Sequence, residues 1–188
     1  APDLKNILLE KSSDKLARLL IEGLPMQKNT LTNYLDNNYF ELDPLHNFFF
    51  TRDAASAVND TVLINRMANP VRNRESMIME AIFDHHPTFI AKTENPENSR
   101  SFDDKISMEG GDILVARKDV LLIGTGIRTS SQGIDYIARK VESREQKRHI
   151  IVQELPRSPE SFIHLDMVFT LLDHDKCMVY EPLILKTS

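Results

Sequence analysis

The spacing of hydrophobic and polar residues divides the chain into a helical first part and a longer second part of mixed elements. In the first part, apolar residues recur every three or four positions, which is typical of amphipathic helices. Ser12 or Ser13 can cap the second of these helices, and Gly23 followed by Pro25 is a typical helix stop. The helical patterns cover residues 4–8, 16–20 and 30–37.

Beyond residue 47, runs of β-forming residues alternate with helical patterns. Two helices are predicted, over residues 72–85 and 130–141. The order of strand, helix, strand and hairpin occurs twice, starting at Thr61 and at Val120, without a repeat at the level of residues. This order predicts an α/β or α+β domain behind a helical N-terminal portion. The predicted strands cover residues 61–65, 89–90, 113–116, 120–124, 150–153, 167–172 and 178–180.

Composition narrows the classes of partner. The 188 residues are 41% hydrophobic, enough for one domain with a real core, and the net charge of -5 disfavours nucleic acid or an anionic membrane as partner. The longest apolar runs are far shorter than the roughly 20 residues that cross a bilayer. Cys177 is the only cysteine, so neither an intramolecular disulfide nor a thiolate metal cluster can form, which fits a reducing, cytoplasmic compartment.

Three short segments could carry chemistry, and each has a plain structural interpretation as well. Residues 47–53 (Asn-Phe-Phe-Phe-Thr-Arg-Asp) could form a strand edge with a buried salt bridge. Residues 108–112 (Met-Glu-Gly-Gly-Asp) could be a simple turn, because adjacent glycines allow unusual backbone angles or a close ligand. His164 and Asp166 would point to the same side of a strand, either as a structural pair or as a tuned acid–base histidine.

Taken together, these segments bring four acids and one histidine to the ends of predicted strands. Carboxylates can meet the forked N–H groups of a guanidinium through paired, charge-assisted hydrogen bonds. The same residue types also bind divalent metal ions, so the set leaves a guanidinium site and a metal site open. The five residues are Asp53, Glu109, Asp112, His164 and Asp166.

Five motifs resemble, in this order along the chain, those of the bacterial arginine deiminases. The resemblance is dense from residue 42 to residue 173. It implies the five-bladed α/β propeller of the guanidino-modifying enzymes, which is built from ββαβ units. Residues 1–40 would be the end of that family's helical insertion, and residues 41–188 a partial propeller that forms the catalytic domain. The motifs are residues 47–53, 72–75 (Arg-Asn-Arg-Glu), 108–112, 126–129 (Gly-Ile-Arg-Thr) and 164–166 (His-Leu-Asp).

The resemblance also implies an activity, which needs neither a cofactor nor a metal. A cysteine thiolate attacks the guanidinium carbon of L-arginine and ammonia leaves; water then hydrolyses the covalent intermediate to citrulline. Asp53 and Asp166 would hold the guanidinium, and His164 would be the general acid and base. Glu109 would orient His164 and keep its pKa high.

The remaining residues of the resemblance would bind the other end of the substrate. Arg72 and Arg128 would clamp the α-carboxylate at the outer end of the pocket. Asn47 and Phe50 would line the pocket around the amino-acid end. Three residues would shape the turn, with Gly110 and Gly111 letting the chain pass close to the ligand and Asp112 supporting the turn from behind.

One part of the family pattern is missing. The family's nucleophile lies near the end of the full-length chain, whereas Cys177 occupies a predicted hairpin without the surrounding motif. The chain is therefore expected to be the middle of the enzyme and inactive by itself. The open alternatives are an arginine-binding protein without activity, a related agmatine or dimethylarginine hydrolase, and a metal-dependent hydrolase. An incomplete propeller would expose strand edges, so a homo-oligomer is also expected.

Overall fold

The structure, a computed structural model, describes residues 4–99, 103–142 and 148–185. The chain divides into two compact units, Ala1–Phe49 and Phe50–Ser188. The first unit ends later than residue 40, because its second strand (Phe40–Leu42) pairs with its first strand (Leu24–Pro25) and extends past that point. No helix within the described ranges is both long and apolar enough to cross a membrane.

The first unit contains the three predicted helices, and all three are confirmed. Gly23 ends the second helix with a positive φ of 85° and donates its N–H to the carbonyl of Leu19. Thr30 caps the third helix, because its hydroxyl accepts a hydrogen bond from the N–H of Asn33 at 3.1 Å. The elements are α1 (Leu4–Leu9), α2 (Ser13–Glu22), β1 (Leu24–Pro25), α3 (Leu31–Leu35) and β2 (Phe40–Leu42).

The second unit contains two modules of identical topology. In each, an antiparallel hairpin is followed by a crossover helix and a third strand that pairs parallel to the second. Each module is thus a ββαβ unit, the unit that the family resemblance implies. The first module consists of α4 (Thr51–Ala54), β3 (Ala55–Val58), β4 (Thr61–Ile64), α5 (Asn73–His85) and β5 (Lys92–Glu94). The second module consists of β6 (Ile113–Arg117), β7 (Val120–Thr125), α6 (Ser131–Val141) and β8 (His149–Glu154).

A third hairpin follows the second module and confirms the last predicted pair of strands. Strand β9 (Phe169–Asp173) pairs antiparallel with β10 (Lys176–Val179), and the short helix α7 (Glu181–Ile184) comes next. The described residues therefore contain two complete ββαβ modules and one further hairpin, and the five-bladed propeller stays a prediction.

The main core lies between the hairpin of the second module and its crossover helix. Ser130 caps α6 by accepting the N–H of Gly133, and Ile137 and Val141, one turn apart, are buried on the same face of the helix. Burial of one such aliphatic side chain stabilises the fold by roughly 1.5–3 kcal/mol. The cluster consists of Val58, Leu63, Ile106, Met108, Ile113, Leu121, Ile123, Tyr136, Ile137 and Val141.

Three sequence-based predictions of local structure are wrong. Residues 89–90 do not form a strand; Ile90 is 99% exposed, and the strand is instead Lys92–Glu94, which pairs with β4. Residues 51–54 form a helical turn rather than a strand edge. His164 and Asp166 do not share a strand, because residues Leu165–Met167 form a 3-10 turn that His164 begins.

Candidate active site

Three loops bring the predicted acids and the histidine together. Each loop directly precedes the first strand of a hairpin: Asp53 comes before β3, Glu109 before β6 and His164 before β9. The side chains of all three residues are buried. One carboxylate oxygen from each acid and one ring nitrogen of His164 lie within 4.8 Å of one another. Residues more than fifty positions apart in sequence therefore form a single cluster.

Glu109 and His164 are the centre of this cluster. Their closest atoms, Glu109 Oε2 and His164 Nε2, are 2.9 Å apart, and Glu109 Oε1 accepts the backbone N–H of Ala68 at 3.0 Å. Burial acts to raise the pKa of Glu109, but the hydrogen bonds from His164 and Ala68 outweigh it and lower this pKa. Burial likewise acts to lower the pKa of His164, but the bond to Glu109 and nearby acids raise it. The pair therefore favours a carboxylate beside an imidazolium.

Arg72 lies among the acids and not at an outer end of the site. Its Nε and Nη2 both donate to the carboxylate of Glu75, and the distance from Nη2 to Oε2 is 2.7 Å. Its Nη1 donates to Asp53 Oδ2 at 2.9 Å. The guanidinium is 5% exposed and also comes within 3.8 Å of Glu109. The predicted position of Arg72 is thus corrected: three carboxylates draw its guanidinium into the interior.

Arg128 occupies a more open position. Its Nη1 is 3.5 Å from Glu109 Oε1, and its side chain is 27% exposed. It lines an open depression of about 310 Å³ together with Ala68, Asn69, Pro70 and Ile127. A cation at the rim of such a depression can meet an anionic group that arrives from solvent.

Asp166 is half-buried and has a charged neighbour that the sequence did not suggest. Its Oδ2 is 3.4 Å from Nε of Arg52, whose Nη2 also donates to the carbonyl of Ile113 at 3.3 Å. Burial raises the pKa of Asp166, and Asp53 adds to this rise, while His164 and Arg52 act to lower it. Arg52 belongs to the same Thr-Arg-Asp segment as Asp53, so this segment supplies both an acid and a cation to the site.

The two glycines of the turn allow close approach of other parts of the protein. A Cβ on Gly110 would lie 1.9 Å from the backbone oxygen of Arg52, and a Cβ on Gly111 would lie 2.6 Å from Nδ1 of His164. Asp112 was expected to support this turn, but its Oδ1 accepts the backbone N–H of Leu165 at 2.9 Å. Asp112 therefore contacts the segment that carries the histidine. Burial raises the pKa of Asp112 to about 6.

Two further predicted residues, Phe50 and Asn47, precede Asp53 in the chain. Phe50 precedes the α4 turn, and its side chain is 51% exposed. Asn47 belongs to the first unit, and its role in the pocket stays a prediction.

Sequence reasoning missed two buried residues that hold the site together. Glu75 binds Arg72 from one helical turn away, a spacing of three residues that the Arg-Asn-Arg-Glu motif displays. Asn65 donates through Nδ2 to the carbonyl of Asp53 at 2.7 Å and to the hydroxyl of Ser56 at 2.9 Å. The motif could have revealed Glu75, whereas nothing in the pattern around Asn65 points to Asp53.

The cluster has the spacing of a metal site, and arginine side chains already contact its carboxylates. Asp53, Glu109 and His164 offer one ligand atom each, which is a common donor set for divalent ions. However, Arg72 binds Asp53 and Arg128 lies next to Glu109, so two cations already face these carboxylates. Any cation that binds these carboxylates, metal ion or guanidinium, has to displace or share with those arginines.

The sequence is similar to those of known arginine deiminases. The profile of the family described as "ADI: Arginine deiminase" matches residues 10–188. An arginine deiminase of Bacillus cereus (strain B4264) is 37% identical over 185 residues, which covers 94% of this chain and 44% of the relative. An arginine deiminase of Staphylococcus aureus (strain JH9) is 35% identical over 190 residues, which covers 97% of this chain and 46% of the relative. The chain thus spans less than half the length of both relatives.

Two solved structures share the mixed α/β fold at low sequence identity. The N-terminal domain of ArgZ, a cyanobacterial arginine dihydrolase with bound substrate, has a TM-score of 0.57 at 24% identity, covering 71% of this chain and 44% of that one. DDAH from Pseudomonas aeruginosa, in complex with citrulline, has a TM-score of 0.56 at 19% identity, covering 86% and 65%. These likenesses concern the fold. Since the family profile covers almost the whole sequence, the chain belongs to the arginine deiminase family.

Proposed function

We propose that this chain carries the guanidinium-binding and acid–base half of an arginine deiminase site, in a protein that hydrolyses L-arginine to L-citrulline and ammonia. The observation that carries the proposal is the buried Glu109–His164 pair beside an aspartate, Asp53, that already binds a guanidinium. Family membership supports the reaction class.

The substrate guanidinium would bind Asp53 and Asp166. The Arg72 guanidinium on Asp53, at 2.9 Å, stands in for the substrate group in the chain without ligand. Substrate binding would therefore replace one guanidinium by another on the same carboxylate, which changes little in the local charge. Arg72, once released, could turn towards the α-carboxylate, and Arg128 at the open depression would meet that carboxylate first.

His164 would transfer the protons. The raised pKa of His164 keeps a substantial share of the imidazole protonated near neutral pH, so it can donate a proton to the departing ammonia. The neutral imidazole that remains can then accept a proton from the water that hydrolyses the thioether. Glu109 stabilises the imidazolium in both steps and holds the ring at 2.9 Å.

The nucleophilic thiolate is not assigned to a residue of this chain. Cys177, the only cysteine, is exposed on β10. We propose that it is not the nucleophile, so the purified chain should release no citrulline from L-arginine, and Cys177→Ser should change nothing. Citrulline release that Cys177→Ser abolishes would contradict this assignment.

The architecture in our proposal is that of a partial propeller. The two ββαβ modules and the third hairpin would be blades of the five-bladed fold within residues 41–188. The helices of residues 1–40 would belong to the family's helical insertion. Free strand edges support a second proposal, association of two or more copies.

Binding of L-arginine to the chain tests the function directly. We expect L-arginine to shift the NMR signals of His164 saturably, agmatine to bind more weakly because it lacks the carboxylate, and citrulline to bind more weakly because it lacks the cation. Asp166→Asn should weaken L-arginine binding by about tenfold or more, since a charge-assisted bond is lost. Asp173→Asn, an exposed change on β9, is the matched control.

Four results would contradict the proposal. L-arginine could leave His164 unaffected, or it could bind Asp166→Asn as well as the wild type. Alternatively, one equivalent of divalent metal could copurify with the chain, which would favour the metal-dependent hydrolase. A fourth result concerns a chain extended by the part of the enzyme that carries the nucleophilic cysteine. If that protein binds L-arginine with normal strength but does not hydrolyse it, the non-catalytic arginine-binding protein is favoured instead.

A further inference from the structure

Asp112 holds the backbone beside the catalytic histidine. The residue is completely buried, and its Oδ1 accepts the N–H of Leu165 at 2.9 Å. Leu165 directly follows His164, which begins the short 3-10 turn before β9. The carboxylate therefore fixes the chain at the point from which the imidazole projects.

The close packing around Asp112 leaves the carboxylate little freedom. A Cβ on Gly124 of β7 would lie 2.5 Å from Asp112 Oδ1, so only a glycine at this position leaves room for the carboxylate. On the other side of the segment, Gly111 contacts the His164 ring, and Glu109 binds its Nε2. Residues 109–112 thus contact the ring and the backbone of the histidine segment at three separate points.

A carboxylate is a costly choice at this position, because burial opposes its charge more strongly than the Leu165 N–H and the Thr129 side chain favour it. Its second oxygen, Oδ2, has no hydrogen-bond partner in the part of the chain that the structure describes. Burial of a charged group is unfavourable unless its charge is used, and a neutral side chain could accept one N–H at lower cost. His164 provides such a use: burial acts to lower its pKa, while Glu109 and the charge of Asp112 raise it.

We propose that Asp112 is a positioning residue, which holds the His164 imidazole against Glu109 through the N–H of Leu165. The inference rests on the proposed function for the acid–base role of His164, but the positioning itself is independent of substrate. The charged groups that act on the His164 ring are Glu109, Asp112 and Asp53, together with Asp166, which has a charge interaction with His164.

Two variants separate the hydrogen bond from the charge. Asp112→Asn keeps an oxygen that can accept the Leu165 N–H but removes the charge, whereas Asp112→Ala removes both. NMR on the chain without ligand gives two readouts, the pKa of His164 and the hydrogen exchange of the Leu165 amide. We expect this amide to exchange at least about tenfold faster in Asp112→Ala and near the wild-type rate in Asp112→Asn. The pKa of His164 should fall in both variants, and further in Asp112→Ala because the ring moves away from Glu109.

The control is Asp119→Asn, at the other end of the β6–β7 hairpin, which should change neither readout. An unchanged Leu165 amide in Asp112→Ala, or an equal fall in the His164 pKa in both variants, would overturn the positioning role. If Asp112→Ala does not fold, Gly124→Ala replaces it: it crowds the carboxylate without altering any charge, and an unchanged His164 pKa there would overturn the proposal. Failure of L-arginine to bind the wild type would contradict the proposed function and leave these results standing.

Discussion

The two ββαβ modules repeat not only a topology but also the places where charged residues occur. Each module has an acid just before its first strand, Asp53 in the first and Glu109 in the second. Each also has an arginine just before its crossover helix, Arg72 and Arg128. Corresponding segments of the modules thus supply charged groups, and the segment before the third hairpin adds His164, five residues ahead of β9.

The two arginines nevertheless have very different surroundings. Arg72 is followed three residues later by Glu75, which faces it on the same helical side and binds it in the interior. Arg128 is followed at the same spacing by Ser131, and its one ion contact is 3.5 Å to Glu109 in the described part of the chain. Arg72 thus has carboxylate partners in Glu75 and Asp53 besides Glu109, whereas Glu109 is the one carboxylate partner of Arg128 in the described residues.

The largest expected effect concerns the arginine of the first module. Arg72→Met leaves Asp53 and Glu75 buried without their cation, so we expect the free energy of unfolding to fall by about 3–5 kcal/mol. Urea denaturation of the purified chain measures this change. Arg117→Met, which removes an arginine whose side chain is 74% exposed, should change stability by less than about 1 kcal/mol. Equal losses in the two variants would refute the buried ion network.

The second effect concerns an acid that the second module has and the first lacks. The pKa of Asp112 is about 6 in the fold, against about 3.9 for an unfolded aspartate, so the folded state binds a proton more readily. Stability from this group is therefore present at low pH and is lost as pH rises from about 4 to 6. We expect the stability of the wild type minus that of Asp112→Asn to decrease by up to about 3 kcal/mol over this window. If the difference in stability between the wild type and Asp112→Asn stays the same from pH 4 to pH 7, the raised pKa of Asp112 is contradicted.

The smallest expected change in stability concerns the arginine of the second module. Arg128→Met should lower the free energy of unfolding by less than about 1 kcal/mol, because its side chain is partly exposed and its ion contact is long. We expect Arg128→Met to weaken the binding of L-arginine and to leave the binding of agmatine similar, so that the preference for L-arginine over agmatine becomes smaller. Calorimetric titration of both ligands measures this preference. A preference that Arg128→Met leaves intact would assign the carboxylate contact elsewhere.

The helices and hairpins of the fold could be predicted because their signals are local. The cap at Ser130, the stop at Gly23 and the apolar face of α6 all lie within a few residues of the elements that they define. Strand β5 could not be predicted, since its Lys-Thr-Glu sequence carries no apolar signal. It is a strand because β4 offers it a parallel partner.

The members of the site could be predicted, but not their arrangement. The resemblance named Asp53, Glu109 and His164, and the structure brings all three together. Their contacts with other parts of the chain depend on tertiary distances that no local pattern encodes. The ion pair of Arg52 with Asp166 spans more than a hundred residues, and the Asp112 contact with Leu165 spans fifty-three.

The central claim is that Glu109 and His164 form one acid–base unit, and an NMR titration of His164 tests it most directly. Comparison of the wild type with His164→Gln assigns the signal among the six histidines. We predict a pKa of His164 above the ordinary value of 6.5 in the wild type and a clear fall in Glu109→Gln, because the carboxylate that favours the imidazolium is gone. A wild-type pKa at or below 6.5, or one that Glu109→Gln leaves unchanged, would contradict the account.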